Sequence, residues 1–269
     1  MNASQDHMRA LAQLSMTRLA SAWHAPWSLS FDTGARTPLS VFIGLLAALI
    51  VMIGLVCDAD VAQAVLSLPA WLIELNVTIS KLGDSGYLFA LALLWMSFGF
   101  YFASCATSRR VYMMWVVQMQ RGCYLFLVNA TSGIFSIVAK NIIGRARPSD
   151  LGPFHFEPFT FMAKFASMPS GHSITAFASA YVLATLFPSW RHVFYGLAVL
   201  VGVSRIIIHA HYVSDVLTGA CVGLFWAYAV GCVMAHSRLG FTSAQNHFNQ
   251  RGQYLMAHLR ASSIFGVYI

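Results

Sequence analysis

The chain has 269 residues, of which 58% are apolar and only 9% are charged, whereas about a quarter of the residues in ordinary soluble domains are charged. A soluble domain with so few charges would expose large apolar patches, so the composition excludes a typical soluble enzyme and predicts one polytopic membrane domain. The net charge of +7 comes from scattered basic residues, which fits the positive-inside bias of membrane proteins and gives no indication of a nucleic-acid partner.

The N-terminal part of the chain leads into a first membrane span. Residues 1–38 are mixed and polar, and we expect a cytoplasmic segment in which residues 8–19 form an amphipathic surface helix. Residues 39–57 are almost all apolar and would cover roughly 28 Å as a helix, close to the hydrocarbon thickness. Residues 58–86 contain four acids and are split by Pro69, so they are predicted to form one or two short interfacial helices.

Five more apolar stretches follow, and the predicted fold class is an all-α polytopic protein with six transmembrane helices. The further spans are expected at residues 87–103, 113–140, 170–187, 193–208 and 213–234. Residues 39–236 then make up one six-helix domain, and residues 237–269 form a cytoplasmic C-terminal tail. Arginines beside alternate helix ends place both termini in the cytoplasm.

This topology brings three polar segments together at the outer face of the membrane. They are residues 140–148, 169–172 and 204–215. Lys140, Arg147 and Arg205 would lie at the edges of apolar helices, where a cation is costly unless an anion faces it. Too few acids lie nearby to pair all three cations. Their convergence therefore predicts a site for a phosphate-like anion.

The segment at Ser170 reads as the start of a helix. Proline followed by serine is typical of a helix N-terminus, and the backbone N–H groups of Ser170, Gly171 and His172 would point outward. Such N–H groups bind anions, and Gly171 allows a ligand to approach the backbone closely. We expect Ser170 and Gly171 to join the three cations in binding phosphate.

Two histidines and one acid are the predicted catalytic residues. His211 and Asp215 are spaced four apart, which places them on one face of a helix. Asp215 can orient the imidazole of His211, so that His211 attacks phosphorus and forms a phosphohistidine. His172 can then protonate the leaving oxygen and activate the water that hydrolyses the intermediate.

The three segments carry the patterns K-x6-RP, PSGH and SR-x5-H-x3-D between residues 140 and 215. They resemble the type 2 phosphatidic acid phosphatase (PAP2) superfamily, and every defining position of its motifs is present. The resemblance implies a six-helix membrane core, an outward-facing site and metal-independent dephosphorylation of a membrane lipid with His211 as nucleophile. Phosphatidic acid, phosphatidylglycerophosphate, undecaprenyl pyrophosphate and lipid A phosphates are the substrates it suggests.

Two other functions stay open at this point. The same phosphohistidine could pass its phosphoryl group to another lipid, or the chain could be a non-catalytic transporter or scaffold that binds anionic lipids. The sequence contains no acidic or Cys/His cluster with metal-ligand spacing, so no metal or other cofactor is predicted. The expected location is the bacterial inner membrane with a periplasmic site. The sequence does not indicate an oligomeric state.

Two features of the loop between residues 140 and 171 are interpreted as peripheral. Arg145 and Lys164 are expected to be solvated charges or contacts to lipid head groups. Five phenylalanines between residues 154 and 165 would either anchor the loop at the membrane surface or form a rim that guides acyl chains.

Overall fold

The protein is described here by a computed structural model covering residues 39–236, 241–244 and 247–250. Within these ranges the chain forms seven α-helices, with one-turn 3-10 helices between them at Lys81–Gly83, Ala163–Phe165 and Pro188–Trp190. The helices are α1 (Leu39–Val65), α2 (Ala70–Ser80), α3 (Ser85–Ser104), α4 (Arg109–Ile143), α5 (Gly171–Leu186), α6 (Arg191–Ile207) and α7 (Val213–His236).

Five helical stretches among the described residues are long and apolar enough to cross a membrane, which confirms the all-α, multi-pass prediction. They are Ile43–Val65, Ala70–Ser104, Arg109–Ile143, Pro188–Ile207 and Val213–Ala235. The remaining predicted span corresponds to α5, whose 16 residues cover about 24 Å. α5 packs against α4 and α6 and buries most of its side chains. The count of six spans, and the surface location of α2, stay predictions.

The predicted end of the first span at residue 57 was wrong. α1 continues to Val65 and carries Asp58 within it, with only 1% of that residue exposed. A charge in an apolar helix is tolerated when it has partners. Asp58 has them, because its carboxylate accepts hydrogen bonds from Ser214 and Arg145.

α5 and α7 approach each other closely because α7 carries glycine where the two helices meet. A Cβ atom at Gly219 would lie 2.7 Å from the carbonyl oxygen of Ser170, and one at Gly223 would lie 2.5 Å from that of Ile174. Side chains would not fit at these distances. The contact fixes the start of α5 against the first turns of α7.

The loop after α4 is held in place by backbone hydrogen bonds. Gly144 ends α4 in the left-handed conformation (φ 61°), and a Cβ atom there would lie 1.8 Å from the carbonyl oxygen of Glu157. The N–H of Ala146 donates to the carbonyl of His155, and that of Arg147 donates to the carbonyl of Lys164. Residues 145–147 are therefore fixed between two other parts of the same loop.

The helical residues up to 230 belong to one compact unit, and the C-terminal part of the chain belongs to a second. Within the second unit, β1 (Phe241–Ala244) pairs antiparallel with β2 (His247–Gln250), with Phe241 opposite Gln250. The sequence had suggested no structure for this tail. The predicted surface helix at residues 8–19 lies outside the described residues.

Candidate active site

The three predicted site segments meet at one end of the helical unit. Lys140 lies in the last turn of α4, and a Cβ atom on Gly171 at the start of α5 would lie 3.3 Å from its Nζ atom. His172, the second residue of α5, is within electrostatic range of His211, Arg205 and Lys140. The helix ends therefore bring the predicted catalytic histidines and two of the predicted cations together.

His211 is buried in the short turn between α6 and α7, with 3% of the residue exposed. Its Nδ1 atom lies 3.8 Å from Oδ2 of Asp215 and makes no hydrogen bond. Burial lowers the pKa of His211 to about 4, against the opposing effect of Asp215. The imidazole is therefore neutral at pH 7, as a nucleophile or base requires.

Asp215 is completely buried in the first turn of α7. Its Oδ1 atom accepts a hydrogen bond of 2.6 Å from Nη1 of Arg145. Its Oδ2 atom accepts from the hydroxyl of Ser167 at 2.6 Å and from the N–H of Tyr212 at 3.0 Å. The carboxylate is thus fixed from several sides, with Oδ2 on the side of His211.

The predicted phosphate-binding cations form a positively charged group with few acidic partners. Lys140 is within electrostatic range of both Arg147 and Arg205. Arg147 donates from Nε to the carbonyl of Ala163 at 3.0 Å, and Arg205 donates from Nη1 to the hydroxyl of Ser80 at 2.6 Å. Both arginines are held by neutral oxygens, so their charges are available to an anion.

Two buried side-chain nitrogens in the described part of the chain have no hydrogen-bond partner, and both belong to the site. They are Nε of Arg205 and Nδ1 of His211. A buried polar atom without a partner is costly in a folded protein. Such atoms are expected where a ligand supplies the partner.

The prediction that the backbone N–H of Ser170 is free for an anion was wrong, whereas phosphate binding by its side chain stays a prediction. Ser170 precedes α5 as its N-cap residue, but its backbone N–H donates to the carbonyl oxygen of Asp215 at 3.1 Å. Its hydroxyl accepts a hydrogen bond from Ser173 at 3.0 Å. This N–H therefore donates to α7 and is not free for an anion. The backbone N–H groups of Gly171 and His172 lie in the first turn of α5, where the helix itself supplies no acceptor.

Arg145 was misinterpreted as a solvated loop charge. Only 3% of it is exposed, and its guanidinium connects the carboxylates of Asp58 and Asp215. Burial acts to lower the pKa of Arg145, but the two carboxylates outweigh it and raise the pKa above its usual value. The signal in the sequence was Asp58, an acid within a helical run that needed a cationic partner. Lys164, in contrast, is exposed as predicted.

The aromatic loop is largely exposed. Phe159 and Phe161 are 77% and 87% exposed, whereas Phe165 is buried and stacks on the ring of His155. Anchoring of the loop and guidance of acyl chains by the exposed rings stay predictions. Among residues 39–236, no group of three His, Cys, Asp or Glu side chains could hold a metal ion.

Comparisons with known proteins point to one family. Residues 121–238 match the family model of the PAP2 superfamily. A lipid A 1-phosphatase of Rhizobium etli is 35% identical over 65% of this chain and 77% of its own length. A second one, of Rhizobium johnstonii, is 33% identical over 76% and 83%. Phosphatidylglycerophosphatase B of Bacillus subtilis is 31% identical over 72% and 92%.

A solved structure has the same fold. The crystal structure of a transmembrane PAP2-type phosphatidylglycerolphosphate phosphatase from Bacillus subtilis matches with a TM-score of 0.51 and 28% identity, covering 73% of this chain and 94% of that one. The family model, the relatives and this structure confirm the resemblance carried by the three motifs. The chain therefore belongs to the PAP2 superfamily and is a multi-pass bacterial membrane protein that acts as a lipid phosphatase.

Proposed function

We propose that this phosphatase removes a phosphate group from a lipid at the periplasmic face of the inner membrane, through a phosphohistidine on His211. One observation carries the proposal: a buried, neutral His211 lies beside Asp215 and within electrostatic range of Lys140, Arg205 and His172. Phosphoryl transfer requires a nucleophile, a group that orients it, an acid and cations that bind the anion.

The proposed reaction has two steps. Nδ1 of His211 faces Asp215, so Nε2 attacks phosphorus while the bond between phosphorus and the lipid oxygen breaks. Burial and the nearby cations disfavour a charged His172 in the free protein, so the monoanionic substrate phosphate supplies the proton that His172 passes to that oxygen. Water then attacks the phosphohistidine, gives a proton to His172 and releases inorganic phosphate together with neutral His211. Lys140, Arg147 and Arg205 stabilise the charge on the three phosphoryl oxygens in both steps.

The substrate we favour is a lipid A that carries a 1-phosphate. Two of the relatives are named for this activity, at 35% and 33% identity. Phosphatidylglycerophosphate is the second candidate, because a third relative and the matched structure are named for its hydrolysis. Phosphatidic acid and undecaprenyl pyrophosphate complete the set to be compared.

Phosphate release from these four lipids by the purified protein in detergent tests the proposal. We expect the highest kcat/KM with lipid A 1-phosphate and loss of at least ~10³-fold activity in His211→Ala, as for other nucleophile substitutions. His192→Ala is the matched control, because His192 is an exposed histidine at the start of α6. Phosphate release by His211→Ala at the normal rate would exclude a phosphohistidine on His211.

Two further measurements separate the remaining alternatives. Steady release of phosphate from a single lipid without an acceptor excludes an obligate transfer to a second lipid. Full activity after incubation with a chelator is expected for metal-independent hydrolysis. Activity that disappears with chelator and returns with magnesium would contradict that expectation.

A further inference from the structure

Helix α1 contributes to the active site although it contains none of the family motifs. Asp58 lies in α1, before the segment that matches the family model. Its Oδ1 atom accepts a hydrogen bond of 3.0 Å from the N–H of Ser214 in the first turn of α7, and its Oδ2 atom accepts one from the Ser214 hydroxyl. A carboxylate suits the N-terminus of a helix, so Asp58 holds the beginning of α7 in place.

Arg145 connects this acid with the acid beside the nucleophile. Its Nη2 atom lies 2.8 Å from Oδ2 of Asp58, and its Nη1 atom lies 2.6 Å from Oδ1 of Asp215 and 2.7 Å from the Ser214 hydroxyl. Its Nε atom donates to the carbonyl of Pro153 at 3.0 Å. The planar guanidinium thus uses its three nitrogens on groups from α1, α7 and the loop.

Packing leaves the guanidinium little freedom. It lies over the ring of Tyr212 at 4.4 Å from the ring centroid, and the ring of Phe156 lies 5.8 Å away. The hydroxyl of Tyr212 donates to the carbonyl of Leu151 at 2.9 Å, which holds the loop over the start of α7. Arg145, Asp58 and Asp215 are each at most 3% exposed, so solvent screens these charges only slightly.

We propose that Arg145 and Asp58 form a positioning pair for catalysis: Arg145 holds Oδ1 of Asp215 so that Oδ2 faces His211, and Asp58 holds Arg145. The inference rests on the proposed function of His211. Neither residue touches the substrate. Their effect reaches the reaction through the carboxylate that orients the nucleophile, which is why they are positioning residues and not catalytic ones.

The geometry also explains why one arginine serves two acids. Two buried carboxylates without a cation would repel each other and raise the cost of burying α7. A lysine has a single ammonium group and cannot reproduce the forked contact. Arg145→Lys therefore keeps the charge while losing at least one of the two links, which separates the effect of geometry from that of charge.

The first test compares Arg145→Lys with the double variant Asp58→Asn/Arg145→Gln, in which the charges of the pair are removed together. We expect kcat to fall about 10- to 100-fold in both, with KM changed less than about threefold because the phosphate-binding groups are intact. Arg110→Lys is the matched control, since Arg110 is an exposed arginine in the first turn of α4. It should behave like the wild type.

The pH profile distinguishes positioning from mere stabilisation. The charged or titratable groups within electrostatic range of His211 are Asp215, Lys140, Arg205 and His172. When no cation neutralises Asp215, its full negative charge acts on His211 and favours the protonated imidazole. The acidic limb of kcat/KM should then move to higher pH in the double variant, relative to the wild type with the same substrate, and should move less in Arg145→Lys, which keeps a positive charge. In Asp58→Asn alone, Arg145 still pairs with Asp215, so the acidic limb should not move to higher pH.

Several outcomes would overturn the inference. Folded variants with a wild-type kcat and an unshifted acidic limb would show that the pair only stabilises the protein, and a loss confined to KM would place Arg145 at the substrate. Trapping the phosphohistidine intermediate measures how many protein molecules are folded and reactive. The kcat of each variant is then calculated per reactive molecule. If Arg145→Lys and the double variant fail to fold, a wild-type kcat in Asp58→Asn contradicts the proposal. Failure of His211→Ala to lose activity would instead contradict the proposed function itself.

Discussion

The protonation state of His211 results from two opposing effects of its surroundings. Burial, together with Lys140 and Arg205, favours the neutral imidazole, and only Asp215 favours the charged form. The cations that bind phosphate therefore also keep the nucleophile unprotonated. After the imidazole bonds to phosphorus it becomes positively charged, and at that stage the nearby carboxylate stabilises it.

This balance predicts the pH dependence of the reaction. Because the pKa of His211 is lowered to about 4, the unprotonated nucleophile persists well below the usual histidine pKa of about 6.5. We expect the acidic limb of kcat/KM that belongs to the enzyme to lie near pH 4 to 5. The substrate phosphate has its own second ionisation, with a pKa of about 6. Phosphorus NMR in the same detergent measures this ionisation, and the kcat/KM profile is then corrected for it.

A remaining limb near pH 6.5 would show that His211 is exposed to solvent, or that Asp215 outweighs burial. His192→Ala provides the control here as well, since an exposed histidine on the outside of α6 should not affect the profile. The comparison requires that each variant is still folded at the lowest pH used.

At the scale of single residues, sequence reasoning identified the groups that carry a local signal. Spacing of four residues was enough to associate His211 with Asp215, and the motifs indicated the three cations. Arg145 and Asp58 were not recognised because they are 87 residues apart, and nothing local distinguishes a buried arginine in a loop from a solvated one. The N–H of Ser170 was misjudged for a similar reason, since its acceptor lies on α7.

At the scale of helices, the contact between α5 and α7 decides where the site residues lie. Gly219 brings the backbone of α7 against Ser170 and Ser173, just before and within the first turn of α5. The same region carries the hydrogen bond from the Ser170 N–H to the Asp215 carbonyl. Helix packing and the position of His172 relative to His211 are therefore coupled.

Gly219→Ala tests this coupling. The added methyl group would lie 2.7 Å from the Ser170 carbonyl oxygen and 2.9 Å from Cβ of Ser173, so the helices must move apart. We expect a loss of about 1–3 kcal/mol of stability, as for other overpacked contacts, together with reduced kcat. Thermal unfolding in detergent and phosphate release measure the two effects.

Gly133→Ala is the matched control, because no atom lies within 4 Å of a Cβ atom at that position in α4. It should keep full activity and a stability equal to or above that of the wild type, since alanine favours a helix. Equal losses in both variants would mean that the contact at Gly219 has no special role.

The existence and order of the helices followed from hydrophobicity, but the ends depended on tertiary contacts. α1 passes beyond its apolar run because Asp58 finds partners in α7 and the loop. α4 begins at Arg109, where the hydroxyl of Ser108 accepts a hydrogen bond from Val111 N–H. A capping serine is visible in a sequence, whereas a partner 156 residues away is not.

At the scale of the whole molecule, the charged helix ends lie on two different sides. α4 begins with Arg109 and Arg110, far from the site, and ends near Lys140 at the site. α5 runs the other way, from Gly171 at the site to Leu186, and α6 then begins with Arg191. Arg109, Arg110 and Arg191 thus share the end opposite to the site. The positive-inside rule predicts that this end is cytoplasmic and that the site is periplasmic.

Cysteine labelling in intact cells tests this orientation. Cys105, just after α3, is exposed at the end with Arg109, so a membrane-impermeant maleimide should label it only after the cells are permeabilised. In a variant with Asp150→Cys and serine at the five native cysteine positions, the exposed loop beside the site should react in intact cells. Phosphate release by each variant shows that it is folded. Labelling of Cys105 in intact cells, together with no labelling of the Asp150→Cys variant, would contradict this orientation. The site would then lie on the cytoplasmic side, and its lipid substrate would have to come from the inner leaflet.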